Sequence, residues 1–138
     1  MFLALAAVPF ATGPATTPIA GISPLDGTAW TLLSLAGAKP VAHNAALLQF
    51  SKGRVQGSDG CNRYSGSYRV GPQELQIGPD LISTQMACPP AIMEQASAYT
   101  RALFAARSYR MSAAQLQLLS ADNTVLATFV AQPESAQR

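Results

Sequence analysis

The chain has 138 residues, enough for one domain with a real hydrophobic core and too few for two. Hydrophobic residues make up 49% and charged residues only 12%, about half the usual share, which excludes a disordered chain and leaves the polar surface to Ser, Thr, Gln and Asn. The net charge of +2 comes from basic residues scattered between Lys39 and Arg138, with no phosphate-tracking stripe, so a nucleic-acid partner is not expected.

Met1 to Val8 is apolar, followed by Pro9 and small residues to Ala15, as in the apolar region and processing zone of a secretory signal. An exported, periplasmic protein is therefore expected, although no Lys or Arg precedes Lys39 to supply a basic start. A transmembrane helix needs about 18 apolar residues, and Pro9 and Gly13-Pro14 interrupt this stretch, so no membrane span is expected. With no cysteine near the start, neither is a lipid anchor of the lipoprotein type. Residues 11–24 have a linker composition. The expected organisation is a signal-like segment and linker over 1–24, a folded domain over 25–131, and a disordered tail over 132–138.

Short alternating runs then follow. Residues 29–35, with Trp30, Leu32 and Leu33, form a first predicted strand, ended by Gly37 and Pro40. Residues 46–51 and 54–58 flank Lys52-Gly53, a tight hairpin turn. Residues 64–70 and 74–77 flank Gly71-Pro72, a second hairpin signal, and 81–85 is a further extended run.

The period changes after Pro89-Pro90. Ile92, Ala96, Tyr99, Leu103 and Ala106 recur at helical spacing, which predicts one helix from about Pro90 to about Ala106. Glu94 stands toward its start and Arg101 and Arg107 toward its end, as a helix dipole favours. Strands are predicted again at 109–112, 115–119 and 125–130, with Asp122-Asn123 turning into the last. Trp30, Tyr99 and Leu103 are the expected core. The fold class is α+β: mainly antiparallel β, a cracked or barrel-like sheet of about eight strands with one helix covering an open side.

Cys61 and Cys88 are the only cysteines. In an exported chain two cysteines commonly pair, and only one pairing is possible; two free buried thiols are the alternative. A metal site would need more ligands at closer spacing, so none is expected.

Two blocks carry a resemblance. Gly60-Cys61-Asn62-Arg63-Tyr64-Ser65-Gly66-Ser67-Tyr68 and Thr84-Gln85-Met86-Ala87-Cys88-Pro89 resemble the signature of the META (HslJ-like) family. Leu25 to Trp30 is similar to that family's opening strand, and the likeness spans about 25–131. It implies a small bacterial envelope protein linked to heat stress or drug tolerance, with a cracked antiparallel barrel around a helix and no established catalysis. Many members carry a lipobox cysteine, which this chain lacks.

The same blocks have a physical reading. Gly57, Gly60 and Gly66 permit backbone positions closed to other residues and Asn62 tolerates turns, so a constrained bulge or strand crossing is expected there. Tyr64 and Tyr68, four apart on one strand, are expected to share an inner or rim face. The single histidine, His43, reads as a loop residue, and a Cys61–His43 dyad would need a free thiol. The carboxylates fall singly in turns and helix ends, and no phosphate loop, dinucleotide fingerprint or metalloprotease motif occurs. We therefore expect no enzyme and no cofactor, with a hydrolase of unrecognised site as the minority alternative. Two classes compete: a monomeric envelope module binding a small apolar ligand or an envelope protein, and a structural or chaperone-like stress protein. A cavity of several hundred Å3 would favour the first and a filled core the second.

Overall fold

The computed structural model describes residues 23–40 and 45–132. The signal-like stretch up to 22, the loop with His43, and the tail from 133 lie outside the described residues. The elements are β1 (Ala29–Leu35), β2 (Leu47–Ser51), β3 (Arg54–Ser58), β4 (Arg63–Val70), β5 (Leu75–Ile77), β6 (Ile82–Ser83), α1 (Pro90–Ala105), β7 (Ser108–Met111), β8 (Gln115–Leu119) and β9 (Val125–Ala131).

Alternation fixes which face each strand buries. In β2, Leu48 and Phe50 point inward while Leu47, Gln49 and Ser51 point out; in β4, Tyr64, Gly66 and Tyr68 are the inner set. Lys52 and Gly53 both take positive φ, 53° and 77°, which gives the two-residue turn whose twist matches the flanking strands. Register follows directly, with Gln49 opposite Gln56 and Phe50 opposite Val55.

All strand pairs are antiparallel, in the order β5-β4-β3-β2-β1-β9-β8-β7. The two ends of that path meet. Glu74 bridges Ser108, the Leu75 amide donates to the Arg107 carbonyl at 3.0 Å, and the Tyr109 amide to that of Gln73 at 3.2 Å. The result is a nearly closed barrel of eight strands, with the short β6 set beside β4. The extended run expected over 81–85 is a strand only at Ile82–Ser83. Its continuation is held instead by side chains of the β3–β4 loop.

In β1 the register slips between Leu32 and Ser34, so Leu33 is the extra residue of a bulge. Trp30 and Leu32 face the core while Leu33 is 45% exposed, which takes it out of the cluster that its neighbours join.

Helix α1 starts with Pro89 as its N-cap and Pro90 inside the first turn, where a missing N–H costs nothing. Ala96, Tyr99, Ala102 and Leu103 form its buried stripe, and through Tyr99 and Leu103 it joins Trp30, Phe50 and Phe129 in one core. A helix of 16 residues is marginal alone, so this packing holds it. The charge pattern at its ends differs from the expected one. Neither Glu94 nor Arg101 reaches a terminal turn. Arg107, beyond the helix, does the work: its Nη1 donates to the carbonyls of Phe104 and Ala106, both at 2.8 Å.

Candidate functional site

The two sequence blocks lie side by side. Residues 59–62 link β3 to β4 as a self-bonded hairpin loop: the Asp59 carboxylate accepts from the amides of Cys61 at 2.9 Å and Asn62 at 2.6 Å, and the Asp59 amide donates to the Asn62 carbonyl at 2.9 Å. Gly60 takes φ 98°, the left-handed region that glycine occupies without penalty. The block is thus a loop between strands, not a bulge or a crossing.

Asn62 also departs from its expected role, because its side chain grips the second block. Its Oδ1 accepts from the Met86 amide at 2.6 Å and from the Thr84 hydroxyl at 2.8 Å, while its Nδ2 donates to the Met86 carbonyl at 3.4 Å. Arg63 and Thr84 complete the clamp: the Arg63 amide donates to Thr84 Oγ1 at 3.1 Å, and the Thr84 amide to the Arg63 carbonyl at 3.0 Å. Cys61 and Cys88 form a disulfide, with 6.1 Å between their Cα atoms, which ties the loop to the residue before Pro89. Cys61 is therefore no thiolate for a dyad.

Gly57 and Gly66 serve close approach rather than unusual φ. A Cβ on Gly57 would lie 2.0 Å from the Leu47 carbonyl oxygen, and one on Gly66 2.5 Å from Leu81 Cδ2.

Tyr64 and Tyr68 share the inner face and reach different partners. Tyr64 Oη donates to the Leu47 carbonyl at 2.9 Å and lies 2.7 Å from Tyr99 Oη. Burial pushes both phenols above the ordinary tyrosine range. Tyr68 Oη donates to Asp26 Oδ1 at 2.6 Å and accepts from Ser23 Oγ at 2.9 Å, which pins the segment before β1 to the barrel. Burial first, then that bond to a carboxylate, pushes Tyr68 up to about 12; the same bond and the Gly53 amide hold Asp26 below the usual carboxylate value.

The interior is packed with side chains. Tyr99, Phe50, Phe129, Leu48, Leu116 and Leu118 are fully buried, as are Trp30 and Leu103 to within a few per cent. Among the described residues every buried side-chain N or O has a hydrogen-bond partner.

A concavity lies outside, over the outer face of β2, β3 and β4. This open groove of about 870 Å3 is floored by Leu47, Gln49, Gln56, Ser58 and Ser65, walled by Ile82 to Thr84, and ended by Ala29 and Gln132. Arg63 is its one charged lining residue. A second, more open cleft of about 760 Å3 crosses the β5–β7 seam, where Arg107 is already committed to the helix end. The sequence blocks place Arg63, Tyr64, Ser65 and Thr84 at the first groove; Met86 and Pro89 lie beyond it. Leu47, Gln49, Gln56 and Ser58 were not singled out from sequence. Their signal is the outward alternation of β2 and β3, which has meaning only once the register Gln49–Gln56 and Leu47–Ser58 is known.

No three His, Cys, Asp or Glu residues gather as a metal site among the described residues, and no described helix is long and apolar enough to cross a membrane.

Comparison with known proteins accords with this architecture. The NMR structure of a protein from Burkholderia xenovorans is similar at a TM-score of 0.64 and 28% identity, over 92% of this chain and 100% of that one. A second NMR structure matches at 0.62 and 26%, over 77% and 90%. A DUF4847 family protein from Bacteroides vulgatus, at 12% identity and a TM-score of 0.55 over 78% and 94%, shares the fold alone. No curated protein matches. The family model that describes the META domain matches residues 23–133, nearly all of the folded chain, and the chain belongs to the META domain family.

Proposed function

We propose that this chain is a non-catalytic, exported domain of the cell envelope, working in the periplasm, that takes an extended peptide segment of a protein partner along its outer groove. The groove itself carries this reading: the barrel's interior is occupied by its own core, and an open groove of about 870 Å3 lies on the surface. Its chemistry suits a main chain. Gln49, Gln56, Ser58 and Ser65 offer amides and hydroxyls in rows at strand spacing. Leu47 in the floor and Ile82 in the wall, the latter 70% exposed, offer apolar contacts. Arg63 has no carboxylate partner among the described residues, which selects for an acidic residue in the ligand. Ile82–Ser83 pairs β4 through only two residue pairs, and a short exposed edge of this kind can accept an added strand.

Non-catalysis is supported by the disulfide, which removes the one candidate nucleophile of the sequence. Export is supported by the same disulfide together with the signal-like start. A domain that holds extended segments fits a role in envelope stress.

The test is fluorescence polarisation with a panel of labelled extended peptides that combine acidic and apolar residues. Binding to the parent, lost in Ser65→Trp and weakened in Arg63→Ala, is the expected result. No binding by any peptide overturns the reading. So does a small molecule that co-purifies from the periplasm and stays bound to Ser65→Trp in native mass spectrometry.

A further inference from the structure

We propose that the Cys61–Cys88 pair, once reduced, is a binding site for a soft monovalent cation, cuprous copper, with the Met93 thioether as third ligand. Three sulfur atoms meet at the mouth of the helix. The disulfide joins the 59–62 loop to the residue before the N-cap, and Met93 Sδ, in the first turn of α1, lies 3.9 Å from Cys61 Sγ. Met93 is 43% exposed, and both cysteines are half-buried, so the cluster opens to solvent.

The sulfurs stay together when the covalent bond is gone. Asn62 makes three hydrogen bonds to Thr84 and Met86, and Arg63 and Thr84 exchange two more. These hold the loop against the pre-helix segment independently of the disulfide. A reduced pair is therefore a preorganised dithiol, and preorganisation is what a chelate needs to bind without an ordering cost.

Cys88 immediately precedes the N-cap Pro89, which sets its sulfur at the start of α1. Asn62 Nδ2 donates to Cys61 Sγ at 3.5 Å, as an outer partner that orients a ligand.

Geometry and ligand type select the metal. Three sulfurs around one ion at bonds of about 2.3 Å stand roughly 4 Å apart, which is already the Cys61–Met93 separation. Thiolate and thioether are soft donors that select cuprous copper, and no cluster of His, Asp or Glu among the described residues offers harder ions a competing set. The chemistry is stoichiometric. A dithiol reductant delivers two electrons and two protons to the disulfide and becomes a disulfide itself. The cation then displaces the two thiol protons as it bonds to the thiolates.

The test uses the full chain, reduced with a water-soluble phosphine, in competition with a chromophoric cuprous chelator. The expected result is one cuprous ion bound per reduced chain, none by the oxidised chain, and X-ray absorption showing three sulfurs at about 2.3 Å. Met93→Leu, a surface change that keeps side-chain size, should weaken binding at least about tenfold and leave two sulfurs at the metal. Unchanged affinity in Met93→Leu, two sulfurs in the parent, or no binding by the reduced chain overturns the proposal. So does loss of the native circular dichroism on reduction alone, since the site depends on the hydrogen-bonded clamp.

Discussion

Tyr64, from the first sequence block, and Tyr99, from the helix, lie 2.7 Å apart at their hydroxyls and both point at one acceptor, the carbonyl of Leu47. Each hydroxyl has one proton. Tyr64, at 2.9 Å, donates to the carbonyl, and Tyr99 donates to Tyr64 while standing 3.3 Å from the same carbonyl. This ties helix, β4 and β2 together through polar atoms inside an apolar core.

Because Tyr99 can take over the Leu47 carbonyl, Tyr64→Phe and Tyr99→Phe should each cost about 1 kcal/mol, the worth of one hydrogen bond. The double variant should cost more than their sum, with a coupling of about 0.5–3 kcal/mol, since only then is the inward side of the acceptor left bare. Urea denaturation of the four proteins in a double-mutant cycle measures it. Strict additivity would mean that the two phenols do not share an acceptor.

Gly57→Ala tests the same place from the backbone. The added Cβ would meet the Leu47 carbonyl oxygen at 2.0 Å and its carbon at 2.8 Å, and neither can rotate away. Strands β2 and β3 must separate, so a loss of about 3 kcal/mol or more is expected, the upper end for overpacking. Gly53→Ala meets nothing within 4 Å and bears only the strain of φ 77°, roughly 1–2 kcal/mol. Chemical denaturation should rank the two in that order; equal losses would refute the close-approach explanation.

The pH dependence follows from the tyrosines. All four have pKa values raised in the folded state, by burial in each case and additionally by the bond to Asp26 at Tyr68, which reaches about 12. A group with a raised folded pKa contributes stability that is complete below its unfolded value near 10 and is lost as pH climbs through the folded one. Stability should therefore be insensitive to these groups up to about pH 9 and fall between about pH 10 and 12. Tyrosinate absorbance should rise together with the loss of near-ultraviolet circular dichroism. A rise of all four near pH 10 with the fold intact would contradict the burial described here.

Much of the architecture was legible in the sequence because it rests on local periodicity. Alternation marked β1 to β4, Lys52-Gly53 and Asp122-Asn123 marked turns, and the recurrence from Ala96 to Leu103 marked the helix. What was not legible depends on partners far along the chain. Closure of the barrel needs Glu74 beside Ser108, and the work of Asn62 needs Thr84 and Met86 to arrive next to it. The bulge at Leu33 is set by its pairing with β9, which the run of apolar residues around Trp30 does not reveal. The groove is made of outward side chains from three strands, each unremarkable until the register aligns them.

The helix supplies the last test. Leu103 is 1% exposed and sits with Trp30, Tyr99 and Phe129 in the main core, while Arg101, two residues earlier, faces solvent. Leu103→Ala removes buried methyl groups from a close-packed site and leaves a void, which should cost about 2–5 kcal/mol. Arg101→Ala removes no described contact and should change stability by less than about 0.5 kcal/mol. Against a total of roughly 5–15 kcal/mol, the first loss is large enough to shift the urea midpoint well outside error. Trp30 is the only tryptophan and is buried, so its fluorescence follows global unfolding in both variants without a label. If Leu103→Ala and Arg101→Ala unfolded at the same midpoint, the helix would be a surface appendage and not part of the main core.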